Sequence, residues 1–171
     1  MAELWNKVVL TTEESRVVDA LRIIEPTIER IAFLAEGGDA ENIYLKFRDF
    51  DDRIPIGSMG DGIWRFLAMA LNLTNAAGGY LLVDEIDTGL HYSVMLAMWR
   101  LIIETARRLN IQVFATTHSS DCVRALAWLY EEQPEIRDEI SVHRVQKGLS
   151  HTVRYSADEL LVAARQHIEV R

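Results

Sequence analysis

Tyr80-Leu81-Leu82-Val83 is a wholly apolar run that ends abruptly in two carboxylates, Asp84 and Glu85. A run this short and this apolar predicts a strand buried on both faces, the habit of central strands in parallel sheets. Its companion is Gln112-Val113-Phe114-Ala115, which ends in Thr116-Thr117-His118-Ser119. Between them, Tyr92 to Leu109 predicts a long helix, so the order is strand, helix, strand. Sequential elements of that kind fold as an α/β layer with parallel central strands flanked by helices. In such sheets ligands gather at the carboxyl edge of the strands, where both runs turn polar.

The rest of the chain supplies the flanking elements. Thr11 with Glu14 predicts a capping box, followed by a helical stripe through Val17, Leu21, Ile24, Ile28 and Ile31. Pro26 interrupts the stripe and predicts a kink or two helices. Glu36–Ala40, with Gly37 and Gly38, reads as a turn, and Ile43, Leu45 and Phe47 alternate as in a half-buried strand. Ile63, Phe66, Leu67, Ala70 and Leu71 give a helix that stops within Asn75–Gly79, and Ser119 or Ser120 caps another that runs to Tyr130. Ile140–Gln146 and His151–Tyr155 predict a C-terminal β-hairpin, and Ser156 with Glu159 a second capping box before a last helix.

Composition narrows the function classes. The 171 residues are 49% hydrophobic and 26% charged, the balance of a folded domain, and residues 1–171 read as one domain. A net charge of −8 gives no electrostatic footprint for nucleic acid. Cys122 is the one cysteine, so neither a disulfide framework nor a cysteine-based metal site is expected, which fits a reducing cytoplasm. Met1–Leu10 does not read as a signal peptide, and no apolar stretch reaches the length of a membrane span.

Three segments carry chemistry. Asp84, at the end of the first apolar run, is suited to Mg²⁺, which keeps several waters and uses few carboxylates. Glu85 beside it can polarise an attacking water, and His118, at the end of the second run, can donate to a phosphate oxygen. Gly57-Ser58-Met59-Gly60-Asp61-Gly62 leads into a helix; its small residues leave amides open beside a helix N-terminus, an arrangement suited to phosphate. Each segment alone also reads as ordinary structure: a solvated acidic turn, a surface histidine, an N-cap. Their order along one chain is what gives them weight.

Taken together, these segments resemble the C-terminal portion of the ABC-type ATPases grouped as AAA-family ATP-binding proteins, relatives of the recombination, chromosome-maintenance and overcoming-lysogenization-defect ATPases. Residues 54–62 resemble the signature loop, residues 80–91 Walker B with its D-loop, and residues 113–119 the switch-histidine segment; His167–Arg171 is similar to carboxyl termini in that group. The resemblance implies a partial P-loop NTPase fold and ATP with Mg²⁺ as cofactors. It implies that Ser58 and Gly60 meet the γ-phosphate of ATP bound mainly to another subunit, that Asp61 and Gly62 belong with them to the cofactor-binding loop, and that Asp84 organises Mg²⁺. Glu85 would then be the general base and His118 the γ-phosphate sensor, with Asp87–His91 across a dimer seam. His91 stands where an Asp often sits in the D-loop.

The group's P-loop, G-x-x-x-x-G-K-[ST], has no counterpart, because none of the nine glycines precedes a lysine. The expectation is a chain that alone binds ATP weakly and turns it over negligibly, and that works as a homo-oligomer or with a complementing P-loop-bearing subunit. Strands built to sit beside the missing lobe should leave an exposed apolar face. Nucleic acid as a partner is admitted by the resemblance and unsupported by the charge. Two other readings compete: a metal-dependent phosphodiesterase using Asp84, Glu85 and Asp87, and a non-catalytic, ATPase-derived interaction module.

Overall fold

Pro26 decides the first part of the fold. The computed structural model describes residues 1–35 and 41–170, so the turn expected over Glu36–Ala40 lies outside the described residues. Helix α1 (Ala2–Asn6) leads to α2 (Thr12–Arg22), which starts after Thr11 as expected. The capping box does not form in its expected register. Thr11 Oγ1 accepts from Glu13 N at 3.2 Å, while Glu14 Oε2 accepts from Leu10 N at 2.6 Å, one residue ahead of the cap.

Beyond Arg22 the expected helical stripe is wrong, because Ile28 and Ile31 lie on strand β1 (Ile28–Ala35). Proline has no N–H to donate and biases the preceding residue toward extended backbone, so the helix ends ahead of it. The spacing of Ile28 and Ile31 that imitates a helix comes from a register irregularity between Ile28 and Arg30, which leaves both isoleucines buried.

Strand β1 pairs antiparallel with β2 (Glu41–Phe47), and β2 with β3 (Arg53–Pro55). Alternation along β2 sends Ile43, Leu45 and Phe47 into the core. A 3₁₀ turn, Ile56–Met59, and Gly60 then lead into α3 (Asp61–Asn75), whose buried face carries Ile63, Phe66, Leu67, Ala70 and Leu71 as predicted.

Next come β4 (Tyr80–Val83), a 3₁₀ turn at Tyr92–Val94, α4 (Met95–Leu109), β5 (Gln112–Ala115) and α5 (Ser120–Glu132). Asn110, at φ 53°, closes α4 in the left-handed conformation that a short polar side chain tolerates. Strands β4 and β5 pair in parallel, from Tyr80 opposite Gln112 to Val83 opposite Ala115, so the fold is the expected α/β class.

The expectation that β4 is buried on both faces fails. Leu81, Val83 and Val113 pack on the core, but Tyr80 is 68%, Leu82 77% and Phe114 51% exposed. An all-apolar strand reports what it is built to bury, not what the described residues supply to cover it. The open side is the apolar face expected of strands short of neighbours.

The chain continues through the hairpin β6 (Val142–Arg144) and β7 (Val153–Tyr155), shorter than the sequence predicts, into α6 (Ala157–Arg165). The capping box at Ser156 and Glu159 is complete. Leu126, Leu129 and Tyr130 of α5 pack with Leu160 and Leu161 of α6 in a core separate from the larger one around α2, α3 and α4. Among the described residues no helix is long and apolar enough to cross a membrane.

Candidate functional site

The parallel register sets the site. One step past the last pair, Val83 opposite Ala115, it brings Asp84 beside Thr116. The ladder continues into that step: Thr116 N donates to Val83 O at 2.9 Å and Ile86 N to Thr116 O at 3.0 Å. Thr116 Oγ1 donates to Asp84 Oδ1 and accepts from Glu85 N at 2.9 Å. One hydroxyl therefore ties both acidic residues that follow β4 to the end of β5.

Glu85 has φ 49°, a left-handed conformation uncommon for a residue with a side chain. It is held there by its neighbours. Thr88 N donates to Glu85 O and Thr88 Oγ1 to Glu85 Oε2, each at 3.0 Å, while Ile86 is buried in the core. Strained backbone of this kind persists where the surroundings over-determine it, and it clusters at functional sites.

A second strut joins the following turn to the histidine loop. Thr117 Oγ1 donates to Asp87 Oδ1 and accepts from Ser119 N at 3.0 Å, and Ser119 Oγ accepts from Cys122 N to cap α5. His118 is exposed between these two anchored residues. Cys122 below is fully buried, and burial pushes its thiol up to about 11 against a hydrogen bond with Thr117 that pulls the other way. It is a packing residue, protonated at neutral pH. His91 accepts from Ser93 N at 3.4 Å and so caps the 3₁₀ turn before α4.

The glycine-bounded segment is built differently from its sequence reading. Ser58 Oγ is used locally, donating to Pro55 O at 2.7 Å. Gly60, at φ 84°, is the N-cap of α3 and gives its first amides no side-chain acceptor, and Asp61 lies in the first turn. Gly62 approaches the loop after Glu85 so closely that a Cβ there would stand 3.3 Å from Gly89 O. The structure thus joins Asp84 and Glu85 to the histidine loop and brings Gly62 against Gly89, while Ser58 stays bound to the β3 end. Sequence reasoning gave no specific role to Thr88, Thr116 or Thr117. The available signal was the register, which sets the hydroxyls after one strand beside the acids after the other.

Asp84 is an exposed carboxylate with one oxygen engaged by Thr116. That donor set fits Mg²⁺, which takes one or two carboxylates plus water and phosphate oxygens. Among the described residues no group of three His, Cys, Asp or Glu could hold a metal ion by itself.

Known proteins are similar to this chain over parts of their length. The chain is 28% identical over 92 residues to an ATP/GTP phosphatase of Helicobacter pylori, a match spanning 52% of this chain and 25% of that protein. It is 32% identical over 65 residues to the uncharacterized protein MJECL11 of Methanocaldococcus jannaschii, spanning 38% of this chain and 57% of that protein. The chain therefore spans about a quarter and rather more than half of these relatives. Among solved structures, one from work on ATP-driven dimerization and DNA-stimulated activation of SMC ATPases superposes over 93% of this chain and 92% of its own, with TM-score 0.62 and 16% identity. An SmcHead bound to the C-winged helix domain of ScpA matches 88% of this chain and 44% of its own, with TM-score 0.56 and 16% identity. At that identity the two structures establish the shared fold, that of an SMC ATPase head. The sequence of residues 7–121 matches the family described as "AAA domain, putative AbiEii toxin, Type IV TA system", and the chain belongs to that AAA-domain ATPase family.

Proposed function

We propose that this chain forms the γ-phosphate-facing side of an ABC-type ATPase, and that hydrolysis requires a second body carrying the P-loop. The supporting observation is the Thr116 hydroxyl, bonded to both Asp84 and Glu85 where the strands end. Bound Mg–ATP would supply the phosphoryl group and the charge-neutralising ion. On this reading Asp84 holds the ion, Glu85 takes a proton from the attacking water, and His118 donates to a γ-phosphate oxygen. The amides from Ser58 through Gly62 face the γ-phosphate of nucleotide seated mainly on another subunit. The H. pylori relative, named for ATP/GTP phosphatase activity, supports nucleotide hydrolysis, and the SMC structure, whose subject is ATP-driven dimerization, supports assembly.

Phosphoryl transfer is catalysed mostly by positioning and charge stabilisation. Residues 1–171 hold no G-x-x-x-x-G-K-[ST] segment to provide the main cradle, so the chain alone turns ATP over negligibly. The two-ion phosphodiesterase reading lacks support, since β5 is followed by Thr-Thr-His where a further acid is needed, and among the described residues no three His, Cys, Asp or Glu gather to hold an ion.

The test is phosphate release by the chain mixed with a P-loop-bearing half-domain. Glu85→Gln should cut turnover by about a hundredfold or more while ATP-driven assembly persists. Unchanged hydrolysis by that variant means Glu85 is not the base.

A further inference from the structure

We propose that Arg65 is a positioning residue, a strap across Gly89 that fixes the loop Glu85–Leu90 and thereby aims the Glu85 carboxylate. The inference rests on the reading of Glu85 given above, but the contact itself does not. Arg65 lies at the start of α3, the helix that follows the glycine-bounded loop. Gly89 has φ 74°, and the space a Cβ would fill there is already taken by Arg65, whose Nε and Cδ lie 2.6 and 2.7 Å from that position. Gly62, one turn earlier on α3, backs onto the Gly89 carbonyl. No hydrogen bond or ion pair engages Arg65 among the described residues, so its stem is held here by packing.

The strapped loop is the one that needs holding. Beyond the bond from Ile86 N to Thr116 O, its backbone bonds are the short turns Thr88 N to Glu85 O and Leu90 N to Asp87 O, each of the three 3.0 Å, and it contains the left-handed Glu85. Thr116 and Thr117 brace its first half from the end of β5, and Arg65 of α3 packs on Gly89 in its second half. A change at the start of α3 is therefore passed to Glu85 through Gly89. Lysine carries methylenes at the two contact positions and preserves the strap; alanine removes it.

Hydrogen exchange on the whole chain tests the strap without any nucleotide. Arg65→Ala should speed exchange of the 85–90 amides by about tenfold, leave β4 and β5 amides unchanged, and be rescued by Arg65→Lys. In the hydrolysing assembly Arg65→Ala should lower kcat with KM unchanged. Unchanged 85–90 exchange in Arg65→Ala overturns the proposal, as does equal acceleration throughout the β4–β5 pair. Should Glu85→Gln leave hydrolysis intact while the exchange result holds, the strap stands and the role of Glu85 falls.

Discussion

Thr116 shows how much chemistry a small hydroxyl can organise at a strand end. It is donor to Asp84 and acceptor for Glu85 N–H at once, so removing it releases the Asp84 carboxylate and one backbone anchor of Glu85 together. Thr116→Val should destabilise the chain by about 1 kcal/mol in urea titration, and Thr116→Ser should restore most of that. A valine variant of wild-type stability means that water replaces both bonds at no cost. The residue type gave no warning of this role. Asp84, Glu85 and His118 stand out in the sequence as polar groups after apolar runs, but a threonine there is legible only once the parallel register is known.

Single elements were read well where local chemistry is self-contained. Helix α6 is the clearest case. Ser156 Oγ accepts from Glu159 N at 3.3 Å and Glu159 Oε2 from Ser156 N at 2.7 Å, all within four residues. These bonds from Ser156 hold the Glu159 carboxyl below its ordinary range. A depressed folded-state pKa stabilises above the unfolded value, and that contribution is lost as pH falls through the depressed one. Loss of the N-cap in Ser156→Ala should cost about 1 kcal/mol at neutral pH in thermal or urea unfolding, and because the Ser156 hydroxyl also donates to the ionised Glu159 at 2.8 Å, the gap to wild type should narrow in acid. A gap independent of pH would exclude the ionised capping box as its source. The stretch around Pro26 is the opposite case: Ile28 and Ile31 carry a helical spacing, yet a bulged strand presents the same two side chains. Periodicity over so few residues does not separate the two, because an extra residue in a strand imitates a turn of helix.

At the scale of the molecule the open face of the β4–β5 pair dominates. Parallel strands ordinarily have both faces covered, and a two-stranded sheet is marginal by itself. Tyr80, Leu82 and Phe114 leave apolar surface in water directly behind the acids of the site, with the Tyr80 and Phe114 rings 6.4 Å apart. Covering that face by a P-loop-bearing body or a second copy is the expected resolution. Sedimentation velocity over a concentration series should show self-association that Leu82→Asp with Phe114→Ser reduces by about tenfold or more in affinity. A wild-type chain that stays monomeric at the highest concentration rules out the second copy as the cover.

The sequence alone determined the order of elements from α3 onward, the class of fold and the candidate acids, because apolar periodicity, glycine and capping residues act through neighbours a few positions away. Only the tertiary structure decided which face of β4 is covered, that Thr116 joins Asp84 to Glu85, and that Arg65 lies over Gly89. Those contacts join residues more than twenty positions apart, and their geometry exists only after the strands have paired and α3 has packed beside them.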